Sequence, residues 1–177
     1  GILGLNGVGK TSLLHTLAGL LPVSAGDIFC EHIALTKMSR KNLATKIGLL
    51  LQEEQYLFSS LVCDLVLSGR YAQRSHDESV KEIMEYLRLT HFAQKDILRL
   101  SGGEKKRVSI ARILYQNPRI FLLDEPMNQL DPIMQHHVMS YFKNLCLQED
   151  RAVLFSSHDV NFVSRHCDQV ILFMENN

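Results

Sequence analysis

A glycine-rich run near the start of the chain constrains its structure more than any other segment. Residues 4–11 read G-L-N-G-V-G-K-T, which matches the phosphate-binding pattern G-x-x-x-x-G-K-[ST]. In such a loop the glycines let backbone N–H groups turn toward a phosphate, and the following helix adds the positive end of its dipole. The pattern therefore predicts a strand, a loop that binds a nucleotide and a helix. The alternative is a glycine turn that only caps a helix.

Length and composition narrow the class of protein. The 177 residues suit one domain with a sizeable core, and 46% of them are apolar. Nineteen basic and nineteen acidic side chains cancel, which argues against a protein that coats nucleic acid, so no nucleic-acid partner is expected. No apolar run is long enough to cross a membrane. The cysteines form no C-x-x-C pair and are interpreted as reduced thiols: Cys30, Cys63, Cys146 and Cys167.

Short apolar runs alternate with helical patterns along most of the chain. Strands are predicted near 27–30, 47–51, 120–123, 152–155 and 170–174. Wholly apolar strands separated by helices predict an α/β fold with a mostly parallel sheet covered on both faces, here a P-loop NTPase core. The segment of about 60–102 has only helical patterns, so it is expected to be a helical subdomain inserted into a single domain spanning 1–177. One helix in it has an apolar stripe and begins at two acidic residues: Val80, Ile83, Met84, Leu87, with Asp77 and Glu78 at the start.

An acidic pair ends the strand predicted at 120–123. Asp124 and Glu125 follow four apolar residues, and Pro126 comes next. Carboxylates just past a parallel strand lie at the same sheet edge as the phosphate loop, so Asp124 is expected to bind Mg²⁺ and Glu125 to polarise a water. The alternative is an acidic pair that faces solvent.

A second glycine-rich element opens another helix. Residues 100–104 read L-S-G-G-E, and Ser101 with the N–H groups of Gly102 and Gly103 would form a further anion site. A phosphate held from both sides would require another copy of the chain. As an isolated element, the same residues could be only a helix cap.

Taken together and in order, these motifs identify a family resemblance. The set G-L-N-G-V-G-K-T, Gln52 after a strand, L-S-G-G-E, F-L-L-D-E, N-Q-L-D and S-S-H-D resembles the ATP-binding cassette family of ATPases over essentially the whole chain. The resemblance implies ATP and Mg²⁺ as ligands. It also implies a head-to-tail dimer, in which each ATP lies between one subunit's phosphate loop and the Ser101 element of the other.

The resemblance assigns roles to residues that match the family's motifs. Lys10 would contact the β- and γ-phosphates, and Ser12 would lie near the α-phosphate. The implied catalytic residues are Glu125 as general base, His158 as a γ-phosphate contact and Gln52. The implied metal ligands are Thr11, Gln52 and Asp124. The implied nucleotide-binding residues are Asn6, Gly7, Val8, Gly9, Lys10, Thr11 and Ser12, with Ser101, Gly102, Gly103 and Asp131 contributed by the second subunit.

Some positions depart from the family's usual pattern. Met127 replaces a common threonine, and Gln129 stands where relatives often carry alanine or histidine. These changes are expected to affect the dimer interface rather than the chemistry. A strand stub at residues 1–3 and an apolar strand at 170–174 that stops shortly afterwards are interpreted as signs of truncation at both ends. The family's adenine-stacking aromatic residue would precede the phosphate loop. Tyr56 and Phe58 are not expected to replace that residue.

The segment 58–71 discriminates best among family members. Its pattern F-x-x-x-V-x-D-x-V-x-x-G-R-Y resembles importer ATPases for metal chelates such as iron-siderophores, haem or vitamin B12. That resemblance implies an integral membrane permease and an extracytoplasmic solute-binding protein as partners, beside a homodimer or a paired cassette subunit. It also implies a peripheral location on the cytoplasmic face of the membrane.

Other functions remain open. A zinc or manganese importer or an exporter would share most of these motifs. A soluble cassette that clamps ribosomes or DNA is the alternative from another class, although it would favour tandem cassettes or a long charged insertion. A P-loop kinase has no use for the element at 100–104.

Overall fold

The computed structural model describes residues 1–71 and 79–174. The strands are β1 (Ile2–Leu3), β2 (Phe29–Cys30), β3 (Ile33–Ala34), β4 (Ile47–Leu50), β5 (Ile120–Leu123), β6 (Ala152–Ser157) and β7 (Ile171–Leu172). The helices are α1 (Lys10–Leu17), α2 (Arg40–Lys46), α3 (Val62–Leu67), α4 (Ser79–Tyr86), α5 (Gly102–Gln116), α6 (Pro132–Gln148) and α7 (Val160–His166). Each predicted strand is present, although β2 and β7 are shorter than expected and β6 runs on to Ser157.

Five of these strands form one parallel sheet in the order β4-β5-β6-β1-β7. Leu50 of β4 pairs with Leu123 of β5, and Leu3 of β1 pairs with Ser157 of β6. The carboxyl ends of these strands therefore meet at one edge, which we call the catalytic edge. The predicted α/β class with a parallel sheet is confirmed. Strands β2 and β3 form a separate antiparallel hairpin.

The central strand β5 is buried on both faces. Phe121 and Leu123 pack into a large core with α5 and α6, whereas Leu122 packs into a smaller core with Ile2 and Leu14. Alternate side chains of one strand thus enter different apolar layers, which explains why its sequence is uninterrupted by polar residues. This double burial holds the end of β5 at a defined position beneath the catalytic edge.

Between β4 and α5 the described residues form α3, α4 and short 3₁₀ turns, with no strand of the main sheet. The predicted stripe on α4 is confirmed, because Ile83 and Met84 are buried there and Leu87 follows fully buried. The acidic start predicted at Asp77 and Glu78 lies outside the described residues. The division into a core and an inserted subdomain remains a prediction.

Two further expectations concern the state of the cysteines and helices that could cross a membrane. All four cysteines lie in the described part of the chain, and each is a free thiol. None of the helices in residues 1–71 and 79–174 has the length and apolar character needed to cross a membrane.

A reciprocal contact joins the helical segment to the core. The ring of Tyr86, at the end of α4, stacks on the ring of His137 of α6 with centroids 3.8 Å apart. The Tyr86 hydroxyl donates to the His137 carbonyl at 2.9 Å, and His137 Nε2 lies 3.0 Å from the Tyr86 carbonyl oxygen. His137 is thus a packing residue of the fold and not a free surface histidine. Its neighbour His136 is exposed.

Replacing His137 should therefore destabilise the protein while replacing His136 should not. His137→Ala removes a stacked ring and a side-chain hydrogen bond, and we expect a loss of about 1–2 kcal/mol in the free energy of unfolding. His136→Ala should stay within about 0.5 kcal/mol of the parent, as surface substitutions usually do. Urea denaturation followed by circular dichroism measures both, and equal effects would contradict the assignment.

Candidate active site

The phosphate loop joins β1 to α1 in an open conformation. Gly7 and Gly9 have φ angles of 85° and 104°, which side chains with a Cβ rarely adopt, and no atom lies within 4 Å of where their Cβ would be. Gly9 is the N-cap of α1, and no described side chain caps that helix. The first N–H groups of α1 are thus directed toward the loop without a side-chain acceptor, as an anion site requires.

Lys10 lies inside this loop and is 6% exposed. Its Nζ donates to the carbonyl oxygens of Gly4 at 2.7 Å and Leu5 at 2.9 Å. A lysine ammonium has three donors, so these bonds leave one for another acceptor. The buried charge is well placed for a phosphate, and the predicted role of Lys10 is consistent with its geometry.

A hydrogen-bond network connects the phosphate loop to β5 and β6. The Thr11 hydroxyl donates to Asp124 Oδ2 at 2.7 Å, and the Ser156 hydroxyl donates to Asp124 Oδ1 at 2.5 Å. Asp124 is 1% exposed, so its carboxylate depends on these two donors. A hydroxyl and a carboxylate side by side are the hard oxygen ligands that Mg²⁺ prefers, which fits the prediction that Thr11 and Asp124 would hold it.

Two of the predicted catalytic residues are in contact. His158 Nδ1 lies 3.2 Å from Glu125 Oε1. Glu125 is 7% exposed and has a φ of 43°, and its backbone N–H donates to Ser156 Oγ at 2.9 Å. The left-handed backbone turns the chain sharply after Asp124, so consecutive carboxylates take different partners. A crevice of about 170 Å³ opens beside them and is lined in part by Asn128.

Gln52, the third predicted catalytic residue, is the second residue after β4 and is exposed. The Asp124 N–H donates to the Leu50 carbonyl at 2.9 Å, so Gln52 emerges at the catalytic edge. Its expected contact with Mg²⁺ or water remains a prediction. The backbone of Gln52 is held by Lys106 of α5, a residue that the sequence analysis did not single out. A lysine within a polar helical run gives no sequence signal of burial.

The Lys106 ammonium lies close to the catalytic edge. Burial lowers its pKa, and the negative charges of nearby carboxylates oppose that shift; these are Glu54, Asp124, Glu125 and Glu53. Tyr56 is also engaged here, since its hydroxyl contacts Glu54 Oε2 at 2.7 Å. Burial and the Glu54 charge raise the pKa of Tyr56 to about 12. Tyr56 is therefore held by hydrogen bonds within the chain, whereas Phe58 is 79% exposed.

The second glycine-rich element caps α5. Ser101 Oγ accepts from the Glu104 N–H at 3.4 Å, and Glu104 Oε2 accepts from the Ser101 N–H at 2.7 Å. The Ser101 hydroxyl also donates to Glu104 Oε2 at 2.8 Å, and the bonds from the Ser101 N–H and hydroxyl lower the pKa of the Glu104 carboxyl. A Cβ at Gly103 would lie 2.7 Å from the Gln129 carbonyl oxygen, so only glycine fits this approach. Within one chain the element therefore serves as a helix cap, and its role toward a second subunit remains a prediction.

Asp131 and Met127 have structural tasks in the single chain. Asp131 Oδ1 accepts from the Met134 N–H at 2.9 Å and caps α6. Met127 is 8% exposed and packs into the large core, and the expected effect of this position on a dimer interface remains a prediction. Gln129, with a φ of 68°, packs against Gly102 and Gly103. The contribution of Asp131 to a partner's site remains a prediction.

Comparison with known proteins finds a matching family model and several similar proteins. A family model described as ABC transporter matches residues 1–128. An uncharacterized ABC transporter ATP-binding protein of Bacillus subtilis, YvrA, is 40% identical over 185 residues, covering 99% of this chain and 42% of the relative. The phosphonates import ATP-binding protein PhnC of Mesoplasma florum is 33% identical, covering 96% of this chain and 76% of the relative. The hemin import ATP-binding protein HmuV of Bordetella pertussis is 34% identical, with coverages of 99% and 72%.

A solved structure agrees with these matches. The dimeric post-hydrolysis state of the ATP-binding cassette MJ0796, bound to ADP and Pi, superposes with a TM-score of 0.84 at 26% identity. The superposition covers 97% of this chain and 79% of that one. The chain thus spans less than half of the length of YvrA and about three quarters of the other proteins named.

Ser156 is expected to be essential for the geometry of the site. Ser156→Ala leaves the buried Asp124 carboxylate without one donor and the Glu125 N–H without its acceptor, which should cost about 1–3 kcal/mol in the free energy of unfolding. Ser164→Ala, which removes an exposed hydroxyl bonded locally to Asn161 within α7, is the control and should cost less than about 0.5 kcal/mol. Thermal and urea unfolding compare the two, and a neutral Ser156→Ala would contradict the network.

Proposed function

The chain belongs to the ABC transporter ATP-binding family, and on that basis we propose that it is the ATP-hydrolysing, nucleotide-binding subunit of an ABC transporter. One observation carries the proposal. Hydrogen bonds run from Thr11 through Asp124 and Ser156 to the backbone of Glu125, whose side chain meets His158. Residues that bind phosphate, hold a cation and accept a proton thus form one connected site.

Different residues of the chain bind the phosphates, accept the proton and hold the metal during hydrolysis. The open N-terminus of α1 and the Lys10 ammonium bind and neutralise the phosphates. Glu125 accepts a proton from the attacking water, and His158 holds the carboxylate and would reach the γ-phosphate. Mg²⁺, when bound by Thr11, Asp124 and Gln52, supplies positive charge to offset the charge that develops on the phosphate oxygens.

A second subunit would complete each site. Ser101 and Gly102 are exposed at the N-terminus of α5, where N–H groups are available for a partner's nucleotide. Gly103 packs on Gln129, close in the chain to Asp131, so the element and the loop before α6 would reach a partner together. The dimeric state of the structural neighbour supports this arrangement. The subunit would therefore act as a homodimer or with a paired cassette.

The transported solute is proposed to be a metal chelate. The pattern over residues 58–71 favours this class, and the hemin import relative agrees with it, whereas the phosphonates import relative favours a different solute. Exposed apolar side chains in this segment and beside it support contact with a membrane permease, because Leu57, Phe58 and Tyr71 are 75%, 79% and 87% exposed. Through that contact the protein would lie on the cytoplasmic face of the membrane, in a system that includes a solute-binding protein.

The general base can be tested by a minimal substitution. Glu125→Gln keeps the size of the side chain but cannot accept a proton, so ATP turnover should fall by about 10²–10⁴-fold while ATP binding persists. The variant should accumulate as an ATP-bound dimer in analytical ultracentrifugation. Glu53→Gln, an exposed carboxylate near the same edge, is the matched control and should keep near-normal turnover. Near-normal hydrolysis by Glu125→Gln in the full-length protein would remove Glu125 from the role.

The permease contact can be tested separately. Phe58→Glu replaces an exposed apolar side chain by a charge. It should reduce recovery of the protein with native membranes by at least about tenfold, since one interface side chain can contribute about 2 kcal/mol or more to binding. Leu147→Glu, at a residue 73% exposed on α6, is the control and should remain membrane-associated. Co-sedimentation of the parent protein with ribosomes, but not membranes, would support the soluble-clamp alternative instead.

A further inference from the structure

Lys106 is a buried cation that the proposed chemistry does not use. It lies on α5 and is 5% exposed. Its Nζ donates to the carbonyl oxygens of Leu51 at 3.1 Å and Gln52 at 3.0 Å. These are the first two residues after β4, where sheet pairing with β5 has ended. One ammonium thus replaces the neighbouring strand as the partner of two consecutive carbonyls.

A second group of contacts attaches the same segment to α5. Glu54 Oε1 accepts from Arg112 Nη2 at 2.5 Å, and Glu54 Oε2 accepts from the Tyr56 hydroxyl at 2.7 Å. The Tyr56 hydroxyl also lies 2.9 Å from Ser109 Oγ. Lys106, Ser109 and Arg112 are three residues apart and therefore share one face of α5. Glu54 is 9% exposed at its side chain, so this ion pair is largely shielded from water.

The two groups of contacts attach residues 51–56 to α5 and not to the sheet. The Leu50 carbonyl still accepts from the Asp124 N–H of the sheet. Beyond it, the hydrogen bonds described for residues 51–56 either lead to α5 or stay within the segment. The position of Gln52 therefore depends on α5 rather than on the strand that precedes it.

We propose that Lys106 is a positioning residue, which holds the backbone of Gln52 so that its side chain reaches the catalytic edge. The inference rests on the proposed function. Because the N-terminus of α5 carries Ser101, Gly102 and Gly103, one rigid helix connects two places. Its start would contact the nucleotide of the partner subunit, and its next turns set Gln52 for the nucleotide of its own subunit.

Lys106→Met in the full-length protein tests the inference. Methionine keeps an apolar stem in the buried site but donates no hydrogen bond. We expect ATP turnover to fall by about 10- to 100-fold, as misplacement of a catalytic group by about 1 Å does. In a Gln52→Ala background the same change should cost less than about twofold further, because the residue it positions is already gone. Lys105→Met, at the adjacent and more exposed lysine, should leave both backgrounds unchanged.

Limited proteolysis supplies a readout that is independent of hydrolysis. In Lys106→Met, a protease of broad specificity should cleave within residues 51–56 at least about tenfold faster, because the segment opens more often, while cleavage within β5 keeps the parent's rate. Glu54→Gln, which keeps side-chain size and weakens the second attachment, should show the same local change and the same dependence on Gln52. Lys106→Gln, which is shorter and uncharged, decides the role of Lys106 if Lys106→Met does not fold.

The outcomes separate this inference from the proposed function. Loss of turnover only when Gln52 is present, with faster local cleavage, supports Lys106 as a positioning residue. An equal loss in both backgrounds, or an unchanged rate of cleavage within residues 51–56, overturns it even if the parent hydrolyses ATP normally. A parent that binds but does not hydrolyse ATP overturns the proposed function instead, and the comparison of cleavage rates then decides whether Lys106 holds the segment.

Discussion

The carboxylate of Asp124 is almost wholly removed from water, and a charge in that position must have hydrogen-bond partners. Its partners come from distant parts of the chain, the Thr11 hydroxyl at the start of α1 and the Ser156 hydroxyl in β6. Satisfying one carboxylate therefore requires β1, β5 and β6 to end at the same level. The contact between Glu125 and His158 and the opening of the phosphate loop lie beside these strand ends.

Much of this arrangement could be predicted from the sequence, because its signals are local. The phosphate loop, the apolar run of β5 and the acidic pair after it each occupy a few consecutive residues. Ser156 could not be found in this way. The apolar pattern of β6 stops at Phe155, so the predicted strand ended there. The real strand continues because Ser156 and Ser157 pair with β1, and the Ser156 hydroxyl then binds Asp124 and the Glu125 N–H.

Lys106 and His137 were missed for a related reason. Each is a polar side chain on a helix, and residue type alone favours exposure for such side chains. Lys106 is buried because the segment after β4 has carbonyl groups that no strand pairs. His137 is held because Tyr86 of another helix offers both a ring and a carbonyl. Such partners come from tertiary structure, which a single local pattern does not encode.

The sheet order has a consequence for folding. Strand β1, which leads into the phosphate loop, lies at residues 2–3, yet its two neighbours in the sheet, β6 and β7, come from residues 152–172. Phe173 closes this arrangement, because its N–H donates to the Leu3 carbonyl and its own carbonyl packs against Gly4. Strand pairs between residues so far apart in sequence form late in folding, because a long loop must close first. The phosphate loop therefore takes its final position only after most of the fold has formed.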